Sequence, residues 1–129
     1  MEKYTLPSPK EFFKHQEILK LAALQLEKDF GMFKLKVDVN FKNENYFEHI
    51  FKQIKEFVLT ELHKNQSVLM PLLYHIDVSE NKIKKHMQMQ QGLDMHHVLA
   101  ELIIEREIKK VITKLYFSED PKKKALLLR

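Results

Sequence analysis

The 129-residue sequence has no cysteine, only two glycines and four prolines. Without cysteine there is no disulfide framework, no thiolate metal site and no cysteine nucleophile. So few glycines and prolines provide little material for tight turns or phosphate-binding loops, and they favour long helices over sandwiches and barrels. No apolar run reaches the roughly 18 residues of a membrane span, and no signal-type apolar core follows the charged N-terminus. We therefore expect no membrane partner and a cytoplasmic location.

The overall balance of residues is that of a globular chain. Hydrophobic residues make up 44% of the sequence and charged residues 31%, and the length suits one domain with a real core. The net charge of +4 is divided about equally between residues 118–129 and the rest of the chain. Such a diluted excess is not the clustered basic footprint of a nucleic-acid-binding surface.

The longest uninterrupted helical pattern runs from Asp94 to Phe117. Asp94 is placed to cap the helix, acidic residues come early and basic residues late, as the helix dipole favours. Two apolar stripes, displaced around the axis, start at Met95 and at Ile104. Because a surface helix has one apolar face, two stripes indicate a central helix with different neighbours at its two ends. We predict an all-α domain of four to five helices around it over residues 1–117, with a tail over 118–129.

Capping patterns predict the other helices. The first starts at Ser8, with Pro9 and Glu11 behind it, and ends at Gly31 in a left-handed conformation. Asn45 opens the second, which carries the cleanest apolar stripe of the chain and ends near Asn65. The last two predicted helices are a short one over Ser67–Ile76, with Ser67 as its cap, and one opened by Asp77-Val78-Ser79-Glu80 that runs to about Met89.

One segment alternates apolar and polar residues, which is a strand signal. No second run of this kind occurs in the chain, so the segment is an extended connector, pairs with an unrecognised partner, or pairs with a second copy of the protein. A homodimer joined through this segment would bury its apolar face. The predicted interface residues are Leu35, Val37, Val39 and Phe41.

The C-terminal tail is first basic and then apolar. Ser118 to Pro121 ends the central helix, and three lysines precede three leucines. One interpretation is a frayed terminus. The alternative is that Leu126, Leu127 and Leu128 dock in a groove of this molecule or of a partner.

Motifs of known chemistry are absent or weak. None of the seven histidines forms a His–His pair at helical spacing, and there is no nucleophile elbow or phosphate loop. The best metal candidates are Asp94, His97 and Glu101, which share one side of the central helix. The simpler interpretation of these three residues is a cap, a rim histidine and an edge carboxylate. Tyr74 and His75, close to Asp77, form a weak acid/base candidate whose simpler interpretation is a core rim.

The sequence therefore favours a non-enzymatic protein-interaction or regulatory module without a cofactor, which self-associates as a homodimer. A helix-turn-helix-like nucleic-acid-binding regulator is the first alternative, since two helices joined by a polar link precede the tail. Acidic residues at the start of the second of these helices weigh against it. A metal-dependent enzyme that uses Asp94, His97 and Glu101 is the second alternative.

Overall fold

A computed structural model describes residues 15–64, 68–89 and 94–128, and in these ranges the chain forms helices and loops without a β-strand. The predicted all-α class is confirmed. Within the described ranges there are six α-helices and a terminal 3-10 turn (Leu126–Leu128). The α-helices are α1 (Gln16–Gly31), α2 (Tyr46–His63), α3 (Leu69–Ile76), α4 (Glu80–Met89), α5 (Met95–Tyr116) and α6 (Pro121–Ala125).

The predicted central helix is α5, which contacts each of the other five helices. Its two apolar stripes are buried from Val98 to Leu115, whereas Met95, at the start of the first stripe, is exposed. The α1 and α2 helices supply the largest share of its neighbours, and their apolar faces complete the core. Two displaced stripes in the sequence therefore do correspond to a helix packed on several sides.

Within the described residues the first helix begins at Gln16. His15 has an extended backbone and is the N-cap of α1, with its Nδ1 accepting a hydrogen bond from the Ile18 N–H at 3.4 Å. The predicted start at Ser8 lies outside the described residues. The helix does end at Gly31, but the left-handed residue is Lys34, with φ 60°, because the chain makes a further turn before it leaves α1.

The short third helix is capped across space. Its predicted cap, Ser67, lies outside the described residues, and its N-cap residue is Val68. The Glu61 carboxylate, near the end of α2, accepts hydrogen bonds from the N–H groups of Val68 and Leu69, both at 3.1 Å. A buried carboxylate thus satisfies the free donors of a helix that lacks a side-chain cap of its own.

Different residues of the predicted capping segment end α3 and begin α4. Asp77 ends α3 in the left-handed conformation, with φ 73°, and the Val78 N–H donates to the carbonyl of Leu73 at 2.9 Å. Ser79 then begins α4, because its Oγ accepts from the Lys82 N–H at 3.2 Å. The α4 helix extends to Met89, the last described residue before the gap at 90–93.

Residues 35–40 form an extended connector, with the predicted alternation but without strand pairing. Val37 is buried, and Leu35 and Val39 are half-buried against the core of their own molecule. Their place in a dimer interface stays a prediction. The side chain of Gln53 on α2 makes the two backbone hydrogen bonds that a neighbouring strand would otherwise make. Its Oε1 accepts from the Asp38 N–H at 2.8 Å, and its Nε2 donates to the Asp38 carbonyl at 2.9 Å. Phe41, also predicted at a dimer interface, stacks edge-on against Tyr46.

The C-terminal tail docks on its own molecule. Asp120 caps α6 by accepting a hydrogen bond from the Lys122 N–H at 2.9 Å. Leu126 and Leu127 are half-buried against the core, and both α6 and the 3-10 turn contact α5. The side chain of Leu128 lies outside the described part. Of the two interpretations of the tail, docking on this molecule agrees with the structure.

Candidate functional site

The metal candidates do not converge. Asp94 is the N-cap residue of α5 without a side-chain cap bond, while His97 Nε2 lies 2.9 Å from Glu101 Oε1. The His97 ring also packs edge-on against Phe51. Among the described residues no three His, Cys, Asp or Glu side chains come together in a way that could hold a metal ion. His97 and Glu101 thus form a hydrogen-bonded pair at the α2–α5 contact.

An open groove of about 520 Å³ lies between α1, α5 and the tail. We call it the α1–α5 groove. Its α1 side is a single stripe with offsets of three, four and seven residues: Leu21, Leu24, Gln25 and Lys28. Such a stripe is one face of a helix over two turns, or about 10 Å.

The opposite side of the groove consists of Val111, Lys114 and Leu115, one turn of α5, and of Ser118, which follows the end of that helix. Lys123 and Leu126 of the tail form the third side. The floor is therefore apolar and comes from all three elements, and on it Leu24 leaves 46% of its surface exposed.

The rim of the α1–α5 groove is cationic. Lys28, Lys114 and Lys123 all line it, and no acidic residue does. Within the described ranges none of these three lysines lies within ion-pair distance of a carboxylate. Lys114 Nζ donates instead to Gln25 Oε1 at 2.6 Å.

A buried charge cluster lies next to this groove, where α1, α3 and α5 meet. Asp29 is 3% exposed and Glu107 is 1% exposed. Lys110 Nζ lies 2.9 Å from Asp29 Oδ2 and 3.4 Å from Glu107 Oε1. Gln25 Nε2 donates to Asp29 Oδ1 at 3.1 Å, and His75 Nε2 of α3 lies 3.5 Å from the same oxygen.

The pKa values of the two carboxyls in the cluster are shifted in opposite directions. Burial, followed by the hydrogen bond and the charge of Asp29, raises the pKa of Glu107 from 4.5 to about 8. Burial also acts to raise the pKa of Asp29. This effect of burial is outweighed by hydrogen bonds from Glu107, Lys110 and Gln25 and by the charge of Lys110. The pKa of Asp29 therefore falls below its ordinary value. Two adjacent carboxyls that cannot both ionise divide in this way into one neutral and one charged group.

The geometry of Glu107 agrees with a neutral carboxyl. No N–H group among the described residues donates a well-formed hydrogen bond to either of its oxygens, and its contact with Lys110 at 3.4 Å is a long one, so little favours the ionised form. A proton on Glu107 provides a donor to Asp29, and the buried pair then carries one negative charge opposite one lysine. The cluster is close to neutral as a result.

Comparison with known proteins adds no assignment: the chain matches no family model, no curated protein and no solved structure. None of the described helices combines the length and the apolar character needed to cross a membrane. The function has to be inferred from the geometry of the molecule itself.

The charge cluster lies beside a very small cavity. A carboxyl with a raised pKa is often a functional group. The cavity beside Glu107, however, has a volume of only about 10 Å³, too small for a substrate. The other predicted acid/base candidates are separated, since Tyr74 is almost fully exposed whereas His75 faces Asp29. The cluster can hold a proton and fix the packing of three helices.

Sequence reasoning missed both features for different reasons. Glu107 lies four residues after Ile103 and four before Val111, which places a carboxylate inside an apolar stripe. That position is a readable signal of a buried acid. The groove has no comparable signal, because it depends on how the tail packs against α1 and α5.

Proposed function

We propose that the chain is a non-enzymatic protein-interaction module that binds an amphipathic helix of a partner in the α1–α5 groove. The observation that carries this proposal is the open apolar floor between two helices. The α1 helix presents a two-turn stripe to it, α5 presents one turn, and Leu24 on the floor is half exposed. An amphipathic helix that inserts its apolar face into a hydrophobic groove is a recurrent mode of recognition.

The dimensions of the groove support a helix as the occupant. The two-turn stripe of α1 spans about 10 Å, which is also the length of two turns of a third helix. The open side leaves a small molecule exposed to water, whereas ligand pockets usually enclose most of their ligand. A partner helix keeps its polar face in water while its apolar side chains replace water on the floor.

The alternatives predicted from the sequence find less support. A recognition helix must enter the major groove of DNA, but α5 contacts all five other helices and has eleven buried residues. A metal-dependent reaction at Asp94, His97 and Glu101 lacks a converging ligand set among the described residues. Self-association remains a proposal, although Leu35, Val37 and Val39 are covered in the monomer. A cytoplasmic location likewise remains a prediction from composition.

The test uses a fluorescent synthetic helix of about 14 residues with four leucines on one face and glutamines on the other. Titration should give saturable binding, with amide NMR shifts confined to the α1–α5 groove. The exposed Leu24 permits Leu24→Gln without loss of the fold, and this change should weaken binding about tenfold because apolar contact is lost. Leu59→Gln on α2 is the matched control, at 39% exposure, and should leave binding unchanged.

Equal weakening by Leu24→Gln and Leu59→Gln, or a titration without saturation, would refute the proposal. Sedimentation velocity of the same samples at tens of micromolar, about the range for a weak dimer, reports self-association. A dimer that Leu24→Gln dissociates would make a second copy the occupant of the groove.

A further inference from the structure

The three cations around the α1–α5 groove limit the kind of helix that fits it. Lys28 comes from α1, Lys114 from α5 and Lys123 from α6, so each side of the groove contributes one. All three are exposed, and the groove lining contains no carboxylate. We propose that the partner segment is an acidic amphipathic helix, whose apolar residues cover the floor and whose carboxylates pair with these lysines. This inference rests on the proposed function.

One of the three lysines is already held at the rim. Lys114 Nζ donates to Gln25 Oε1 at 2.6 Å, and the same amide donates through Nε2 to the buried Asp29 at 3.1 Å. An ammonium fixed by a neutral amide keeps its full charge and loses less side-chain freedom when a carboxylate arrives. The rim is partly organised for an anion before the partner binds.

The positions of the lysines set the pattern of the partner. Gln25 meets Lys114 and Asp29 meets Lys110, so α1 and α5 run antiparallel. Lys28 then lies about one turn along the groove from the level of Lys114. A partner helix meets these two lysines best with acidic residues on both sides of its apolar stripe, three or four positions apart.

Other occupants fit less well. A second copy of this chain that presented the same groove would oppose lysine to lysine, which like-charge repulsion disfavours. Nucleic acid would satisfy the lysines but leave Leu24 and Leu115 on the floor against a phosphate backbone. An acidic helix satisfies the apolar floor and the cationic rim together.

The test compares three synthetic helices that share one leucine face and differ only in flanking residues, which are glutamate, glutamine or lysine. A solvent-exposed ion pair is worth about 1.4- to fivefold in affinity, so three pairs should make the glutamate helix about threefold to a hundredfold tighter than the glutamine helix. The lysine helix should bind more weakly than either. The advantage of glutamate should shrink between about 50 mM and about 500 mM salt.

Matched variants locate the effect. Lys28→Gln combined with Lys123→Gln should remove most of the preference for the glutamate helix. The control is Lys52→Gln, which changes an exposed lysine on α2 and should preserve the preference. Both changes lie at exposed positions, and circular dichroism checks that the fold is kept.

The possible outcomes separate the two proposals. Equal affinity for the glutamate and glutamine helices overturns the acidic partner and leaves the groove as a binding site. No saturable binding of any helix overturns both. Anionic phosphatidylglycerol vesicles or a DNA duplex could instead bind to the parent and not to the double lysine variant. If the glutamate and glutamine helices also bind equally well, the lysines bind a phosphate ligand and the proposal is wrong.

Discussion

Replacing Glu107 by glutamine should make the molecule less sensitive to pH. Burial and the neighbouring Asp29 raise the pKa of Glu107 to about 8 in the folded state, against 4.5 for an ordinary glutamate. Between these two values the folded protein holds a proton that the unfolded chain has released. Stability therefore falls as pH rises, by about 1.4 kcal/mol for each pH unit, or roughly 4 kcal/mol between about pH 5 and about pH 8.

Asp29 does not cancel this slope. Its pKa lies below the ordinary 3.8, so its stabilising contribution is fully present above that value and is lost only as pH falls through the folded pKa. In the range from about pH 5 to about pH 8 the contribution of Asp29 is constant. Glu107→Gln keeps a neutral donor opposite Asp29 and removes the titration, at a cost of about 1 kcal/mol or less near pH 5.

The stability curves of the parent and the variant should cross. By about pH 8 the variant should be the more stable of the two, by up to about 3 kcal/mol. Urea denaturation followed by far-UV circular dichroism at constant ionic strength measures both curves, and their difference isolates the contribution of Glu107. Glu56→Gln at an exposed position on α2 is the control. A parent whose stability is flat or rises over this range, or a slope that persists in Glu107→Gln, would show that Glu107 is not held neutral.

Two further predictions concern polar contacts that sequence reasoning did not find. Glu61→Ala should destabilise the protein by about 2–3 kcal/mol in urea denaturation, because the N–H groups of Val68 and Leu69 lose a charged acceptor. Glu61→Gln should cost less, since one acceptor oxygen remains, and equal losses in the two variants would contradict the role of the charge. Gln53→Leu removes both hydrogen bonds to Asp38, so amide hydrogen exchange at Asp38 should accelerate. Unchanged exchange there would mean that the connector is held by its apolar side chains alone.

The helices could be predicted because their signals are local. The stripes of α2 and α5 repeat within a few residues, and both helices end within two residues of the predicted positions. The connector at 35–40 shows what a local sequence pattern cannot predict. Its alternation correctly indicates which side chains face inward, but whether an extended segment becomes a strand depends on a partner, and here the partner is the side-chain amide of Gln53, 15 residues away.

The candidate sites depend on contacts that no local pattern specifies. Lys110 and Asp29 are 81 residues apart in the chain, and the third helix of the charge cluster contributes His75. The predicted metal candidates instead came from one helical face. His97 and Glu101 do meet there, because their spacing is local. A ligand set of three would have required a distant residue that the described part of the fold does not bring to them.

The buried charges and the groove are connected through the register of α1 against α5. Asp29 pairs with Lys110, and Gln25 pairs with Lys114, so both helices use an offset of four residues for two successive polar contacts. Apolar stripes alone tolerate a shift of one turn, because leucine and isoleucine recur at that interval. A shift of one turn would place Lys110 opposite a residue other than Asp29 and leave a buried carboxylate unpaired, which is strongly destabilising. The charge cluster thus selects one register, and that register brings Leu24, Leu115 and Lys114 to the same groove.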